Sequence, residues 1–407
     1  MVHAKGFGCF NICLDKVQIE MLAYQKPCGS RIHTVFLFSK PTGVITTMRS
    51  LEEARAAIRE IDVQMASLFQ KRMEAAKDIA AYKKERGLPI GDIAHEKNVL
   101  SENTSCVTDE VIRQYYLTFL QNTMDITKRY EERLVSGSIV AFCGTKGAFA
   151  HIAAKKIFPG GRFVSYPSFD DAYLSVVEGE SDYAVLPIEN SYAGEVGQVM
   201  DLMFHGSLYI NGLYPRPIVH DLLAVPGAKA EEIRTVISHP QALDQCQPYI
   251  RKHGFLVQTE INTAIAAQRV AEMKDPSVAA IASEETADLY KLQILDHDIH
   301  ESKDNTTRFA VFARTKNIDP KEYKGSAFIL LFRVNNVAGA LAEALQVISN
   351  HGFNMNVLRS RPIKTTPWKY YFYAEVEGSP ASRNGQAMIH DLKNHCDMLK
   401  IVGQYLI

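Results

Sequence analysis

The sequence predicts a multidomain chain: an all-α domain, then an open α/β domain, then a small α+β domain of ferredoxin-like order. Three observations carry that prediction. A proline-free stretch from Leu51 to Arg86 carries apolar residues at helical spacing. From Ser138 onward, short apolar runs alternate with polar turns and helical segments, the pattern of α/β sheets with crossover helices. After the polar stretch DPKEYKGS the order becomes strand, helix, strand, strand, helix, strand.

The chain's 407 residues leave room for two or three domains. Its 45 basic and 46 acidic residues nearly cancel, so net charge argues for neither nucleic acid nor a membrane surface as a partner. No uninterrupted apolar run reaches spanning length. Seven scattered cysteines without CxxC spacing indicate neither a zinc site nor a disulfide framework, and they fit a reducing cytoplasm. Residues 1–47 have a strand-like run at 34–39, no helical period and no signal-peptide pattern. They read as a leader, either disordered or untranslated with Met48 as the true start. The expected domains then span 48–135, 138–315 and 325–407.

Ser50 and Glu53 form a capping box at the head of the first helix. From Leu51 to Arg86 that helix is about 36 residues or 54 Å long. Further helices are expected near 92–101 and 108–133. Periodicity alone is also satisfied by a dimerising hairpin or coiled coil. The cations add to this. Arg72 and Lys83 lie about three turns apart on nearly one face, about 16 Å along the axis. Arg55 lies about 25 Å before Arg72, too far to share one small ligand, so any contribution comes from a second chain.

Arg55, Arg72, Lys83, Asp92 and Glu96 resemble, in type and spacing, the active-site pattern of the all-helical chorismate mutases, over about 50–133. The resemblance implies an intertwined dimer with an arginine crossing from the partner, and a cofactor-free rearrangement of chorismate to prephenate. Cations would hold two carboxylates, and donors would meet the breaking ether bond. His95 stands where the family usually has arginine. Thr127 and Glu131 stand at its serine and glutamine positions. An ionised Glu131 only accepts, so it must be protonated to bond the ether oxygen, and mutase activity is expected to rise toward acidic pH. The plain alternative pairs Glu131 with Lys128 or an arginine on a solvated face.

In the middle domain, polar clusters at 189–191 and 238–239 sit at strand ends, where open α/β sheets bind ligands. Gly144 and Gly147 fit neither a GxGxxG nor a P-loop pattern. Asp296–Glu301 has metal-ligand residue types, but such a run is more commonly an exposed loop. GTKGAFAH, PIENSYAGEV, SHPQALDQC, LYKLQIL and NTTRF, in this order over 138–314, resemble prephenate dehydratase. That likeness implies two subdomains of the periplasmic-binding-protein kind with substrate between them. In it, Thr307 bonds the departing hydroxide, while Asn190, Ser238, Gln245 and Thr263 orient substrate. Arg308 holds a carboxylate or braces the loop, with a structural ion pair as the plain alternative. Ala148, Ala150, Asn262 and Ala282 depart from the family pattern. The two alanines, in the first loop, leave a carboxylate contact missing or made by backbone N–H groups.

Gly339, Ala340 and Leu341, with Ser360, Arg361 and Pro362, resemble the amino-acid-binding ACT domains of prephenate dehydratases. Phenylalanine binding at a domain pair is implied there, with a helix N-terminus suited to its carboxylate. Arg359 stands where that family has glutamate, so feedback is expected to be weakened unless another acidic residue compensates. The whole resembles a bifunctional enzyme of phenylalanine biosynthesis, cytoplasmic and at least dimeric. Chorismate and prephenate are its expected substrates and phenylalanine its effector, with no cofactor, metal, nucleic acid or membrane partner. Two rivals stand beside it: a dehydratase whose helices only dimerise, and a non-catalytic sensor of aromatic metabolites.

Overall fold

The computed structural model describes residues 10–14, 17–21, 50–316 and 325–406. The strand expected at 34–39, Met48 and most of the polar stretch before the last domain lie outside the described residues.

At the N-terminus β1 (Phe10–Leu14) and β2 (Val17–Met21) pair antiparallel, strands that sequence reading had not expected. The long helix α1 runs from Leu51 to Arg86, as expected. Its capping box is formed: Ser50 N–H donates to Glu53 Oε2 at 2.7 Å, and Glu53 N–H to Ser50 Oγ at 3.2 Å. Helices α2 (Ile93–Ser105) and α3 (Glu110–Ser136) start on Asp92 and Asp109, whose carboxylates accept from two first-turn N–H groups each. Gly137, at a φ of 82°, ends α3. Ile58, Val63, Leu68 and Tyr115 are exposed, so the apolar periodicity of these helices exceeds what the single chain covers. No described helix is long and apolar enough to cross a membrane.

The middle domain forms two α/β halves. The first holds β3 (Ile139–Cys143), α4 (Phe149–Ile157), β4 (Arg162–Tyr166), α5 (Phe169–Val177), β5 (Tyr183–Asn190), β6 (Gly194–Glu195), α6 (Gly197–His205) and β7 (Tyr209–Pro217). The chain then crosses into β8 (Asp221–Ala224), β9 (Thr235–Ser238), α7 (Pro240–Gln245), α8 (Gln247–His253), β10 (Leu256–Thr259), α9 (Thr263–Met273), β11 (Val278–Ala282), α10 (Glu284–Tyr290) and β12 (Gln293–Asp296). It returns through β13 (Thr306–Ala313), which runs antiparallel between β5 and β7. The second half is a five-stranded sheet of order β10-β9-β11-β8-β12. The apolar run of β11 is buried along its whole length, as expected for a strand covered on both faces.

The last domain is β14 (Ser326–Arg333), α11 (Ala340–Asn350), β15 (Met355–Pro362), β16 (Tyr370–Glu377), α12 (Arg383–Leu392) and β17 (Met398–Leu406), in the expected ferredoxin-like order. Its sheet does not stand alone. β17 joins β7, so among the described residues one ten-stranded sheet runs from β15 to β4. Gly403 makes the junction possible, because a Cβ there would collide with the Ile210 carbonyl.

Candidate functional site

Of the expected helical-domain residues, Lys83 and Glu131 meet near the end of α1. Lys83 Nζ lies 2.9 Å from Glu131 Oε2 and also donates to the Ile90 carbonyl. Glu131 is only 5% exposed, so it is no solvated surface carboxylate, and its partner is Lys83 rather than Lys128. Lys128 instead reaches Glu96 at 2.7 Å, a hydrogen bond that holds its ammonium above the ordinary value. Thr127 is buried one turn from Glu131 and donates to the Thr123 carbonyl. Asp92 is the cap of α2, so its oxygen is committed to Ala94 and His95 N–H, and the His95 side chain is exposed. Arg55 and Arg72 are on α1, exposed and half-buried respectively. Lys128, expected only as a surface partner of Glu131, pairs with Glu96 instead.

A cavity of about 570 Å³ opens between the two halves of the middle domain. Thr307, Asn190, Gln245 and Thr263 line it together with Phe149, Phe309, His220 and His239. Thr307 and Asn190 are register partners at the ends of β13 and β5, which brings residues far apart in sequence side by side. Asn190 Nδ2 donates to Thr307 Oγ1 at 2.9 Å and to Asn305 Oδ1 at 2.8 Å. Because Thr307 Oγ1 accepts from Asn190, its own proton is left to donate elsewhere. Asn305 Nδ2 donates to Gln245 Oε1 at 3.0 Å, and His220 Nε2 lies 2.9 Å from the same oxygen. Burial pushes the His220 imidazole down to about 4, so it is neutral near pH 7.

Among the described residues lining this cavity there is no lysine or arginine. A helix start takes their place. Ala148 precedes α4 and offers no side-chain cap, leaving the first-turn residues Phe149 and Ala150 at the cavity wall; Val196, before α6, also lines it, but its N–H is bonded to the Ile188 carbonyl. The replaced hydroxyl residues Ala148 and Ala150 lie at that same wall.

Two expected members are not in the wall. Ser238 is fully buried, its hydroxyl donating to the Ile281 carbonyl at 2.6 Å. Arg308 alternates to the face opposite Thr307 and Phe309, as strand geometry requires. There it makes a two-pronged contact with Glu375 of β16 at 2.8 and 2.7 Å and reaches Glu189 at 3.1 Å. Tyr373 and Tyr405 also donate to Glu375. In place of the expected carboxylate contact, Arg308 thus has the ion-pair geometry of the plain alternative.

The last domain carries a cavity of about 450 Å³ lined by Leu341, Ser360, Arg333 and Asp397, among others. Gly339, at a φ of 90°, and Ala340 open α11 beside it. Along β15, Ser360 and Pro362 are exposed, while Arg359 and Arg361 turn inward to Glu189 and Glu195. Arg359 therefore faces the middle domain. Asp296–Glu301 is not uniformly exposed: His300 is buried and accepts from the His220 N–H. No metal-binding cluster occurs among the described residues.

Residues 54–132 match the type II chorismate mutase family and 140–317 the prephenate dehydratase family. A bifunctional chorismate mutase/prephenate dehydratase of Enterobacter agglomerans is 32% identical over 86% of this chain and 94% of its own length. Among solved structures, a quorum-quenching acylase called GqqA is 32% identical with a TM-score of 0.61, covering 66% of this chain and 97% of the other. Prephenate dehydratase of Arthrobacter aurescens in complex with L-Phe is 25% identical with a TM-score of 0.61, over 66% of this chain and 90% of its own. The ordered blocks, the two-half domain and a relative matched along nearly its whole length agree, and the chain belongs to the bifunctional chorismate mutase/prephenate dehydratase family.

Proposed function

We propose that the helical domain rearranges chorismate to prephenate and that the middle domain converts prephenate to phenylpyruvate. In the first step Arg55 from a partner subunit, Arg72 and Lys83 hold the two carboxylates in the compact conformer. Thr127 and Glu131 sit toward the ether oxygen, Glu96 keeps Lys128 in place, and Asp92 with His95 fixes the start of α2. The exposed apolar residues of α1 support a homodimer in which that face is covered.

In the second step the C–C bond to the ring carboxylate breaks and carbon dioxide leaves. Its electron pair enters the ring as the ring C–O bond breaks, and hydroxide departs to be protonated to water. Thr307 donates a hydrogen bond to the departing oxygen. The observation that carries this reading is the Asn190 amide donating to Thr307 Oγ1, which leaves the threonine proton for the ligand. With no lining cation, a carboxylate meets N–H groups at the start of α4, with Asn190, Gln245 and Thr263 orienting the ring. Ser238 and Arg308 support the wall from behind.

L-Phenylalanine is the proposed effector, bound beside Gly339, Ala340, Leu341, Ser360 and Pro362; the phenylalanine complex of the Arthrobacter relative supports this. Arg359 and Arg361 then act on the middle domain through Glu189 and Glu195. The proposed location is the cytoplasm.

A time course with chorismate, resolving prephenate and phenylpyruvate by chromatography before any acid quench, tests both steps. Both products are expected in order. Unchanged chorismate would refute the mutase half, and prephenate accumulating without phenylpyruvate the dehydratase half.

A further inference from the structure

Two main-chain groups fix the direction of the hydrogen-bond chain from Asn190 to His220 behind the cavity. Tyr192 and Ala193 N–H donate to Asn190 Oδ1 at 3.0 and 2.9 Å. A peptide N–H only donates, so that atom is the oxygen, and the other end of the amide is the NH2 that meets Thr307 and Asn305. Asn305 must then accept with its oxygen and give its own NH2 to Gln245. Gln245 receives it with Oε1, the same atom that faces His220 Nε2 at 2.9 Å. An acceptor facing Nε2 requires that nitrogen to carry the proton. The ring is held in place by edge contacts with Phe149 and His300 and is 2% exposed. Its second nitrogen, Nδ1, is buried without a hydrogen-bond partner. Of the two ring nitrogens, only Nε2 has a side-chain partner.

We infer that His220 is a positioning residue for the dehydration: its Nε2–H and the Asn305 amide grip Gln245 Oε1 from two sides, so that Gln245 presents its NH2 to the substrate anion. The opposite amide rotamer would set the Gln245 carbonyl oxygen against a dianion and its NH2 against two donors. In a cavity without a lining cation, that reversal removes a donor and adds a repulsion. The inference rests on reading this cavity as the dehydratase site.

Two arms test it. Nitrogen-15 spectra of the full chain, with the His220 signals assigned by their loss in His220→Gln, report the tautomer directly. A neutral Nε2–H ring is expected, and a proton on Nδ1 would overturn the inference whatever the enzyme turns over. Kinetics on prephenate supply the second arm. His220→Leu removes the donor and is expected to raise KM about tenfold, with a smaller loss in kcat and the mutase rate unchanged. His220→Gln restores an N–H at the same reach and should return KM to within about threefold of the starting protein. His220→Leu added to Gln245→Leu should cost nothing further, because the group it positions is already gone. Additive losses, or no difference between the Leu and Gln variants, would mean that His220 only fills space. If the unsubstituted chain leaves prephenate intact, the site reading fails, while the tautomer result still stands by itself.

Discussion

Glu375→Gln tests whether the last domain is wired into the middle one. Glu375 is a carboxylate only 4% exposed, held by the two-pronged contact with Arg308 and by the hydroxyls of Tyr373 and Tyr405. Glutamine keeps the shape and removes the charge. Breaking a buried pair costs about 3–5 kcal/mol when the surviving charge is left alone. Here Arg308 keeps Glu189 at 3.1 Å, which brings the expected cost down to about 2–3 kcal/mol. For a cooperative unit of about 260 residues that lowers Tm by about 4–5 °C. Because β17 continues the sheet of the middle domain, calorimetry should show the two domains unfolding in one transition that shifts as a whole. The effect should fade in acid. Burial raises the Glu375 carboxyl, but hydrogen bonds from Arg308, Tyr373 and Tyr405 outweigh it and hold the group below the usual range. A depressed value gives stability that is fully present above the unfolded carboxylate range and lost as pH falls through the folded value. A variant within about 1 °C of the parent, or one in which only a separate C-terminal transition moves, would refute the wiring.

Three shorter expectations accompany it. Gly403→Val places a side chain against the Ile210 carbonyl and should part β17 from β7, splitting one unfolding transition into two. Arg359→Glu sets a carboxylate beside Glu189 and should cut dehydratase activity without touching the mutase rate; unchanged dehydratase kinetics would remove Arg359 from any coupling. Glu131→Gln supplies a permanent NH2 donor beside Lys83, so its mutase pH profile should be flatter than that of the parent. An identical profile would take Glu131 out of the ether-oxygen role.

What was legible in the sequence is what local physics determines. The bounds of α1 follow from Ser50, Glu53 and an unbroken helical period, and they match the expectation from Leu51 to Arg86. Strands β3, β5, β9, β11 and β13 announced themselves as short apolar runs between turns and helical segments. Strands β4 and β10 did not: both are edge strands, and β10 is exposed throughout. β7 is interrupted by Gly212, Pro215 and Pro217, so it reads as loop, yet it is the strand that receives β17. In the site, the residue types were readable but the partners were not. Arg308 and Glu375 lie on β13 and β16, strands that do not pair with each other, and nothing near Arg308 in sequence identifies its partner. His220, a lone histidine in an apolar run, gave no local signal. Its importance appears only when Gln245 and Asn305 are brought to it from distant segments.

The most direct test of the central claim compares Thr307→Val with Thr307→Ser in a chorismate time course. Valine keeps the volume and removes the proton that Asn190 leaves available, whereas serine keeps the hydroxyl. The expected result is prephenate accumulation in the valine variant, with phenylpyruvate formation down about 100- to 1,000-fold, and near-parental turnover in the serine variant. Phenylpyruvate formed at the parental rate by the valine variant would contradict the assignment of Thr307 as the donor to the departing hydroxide.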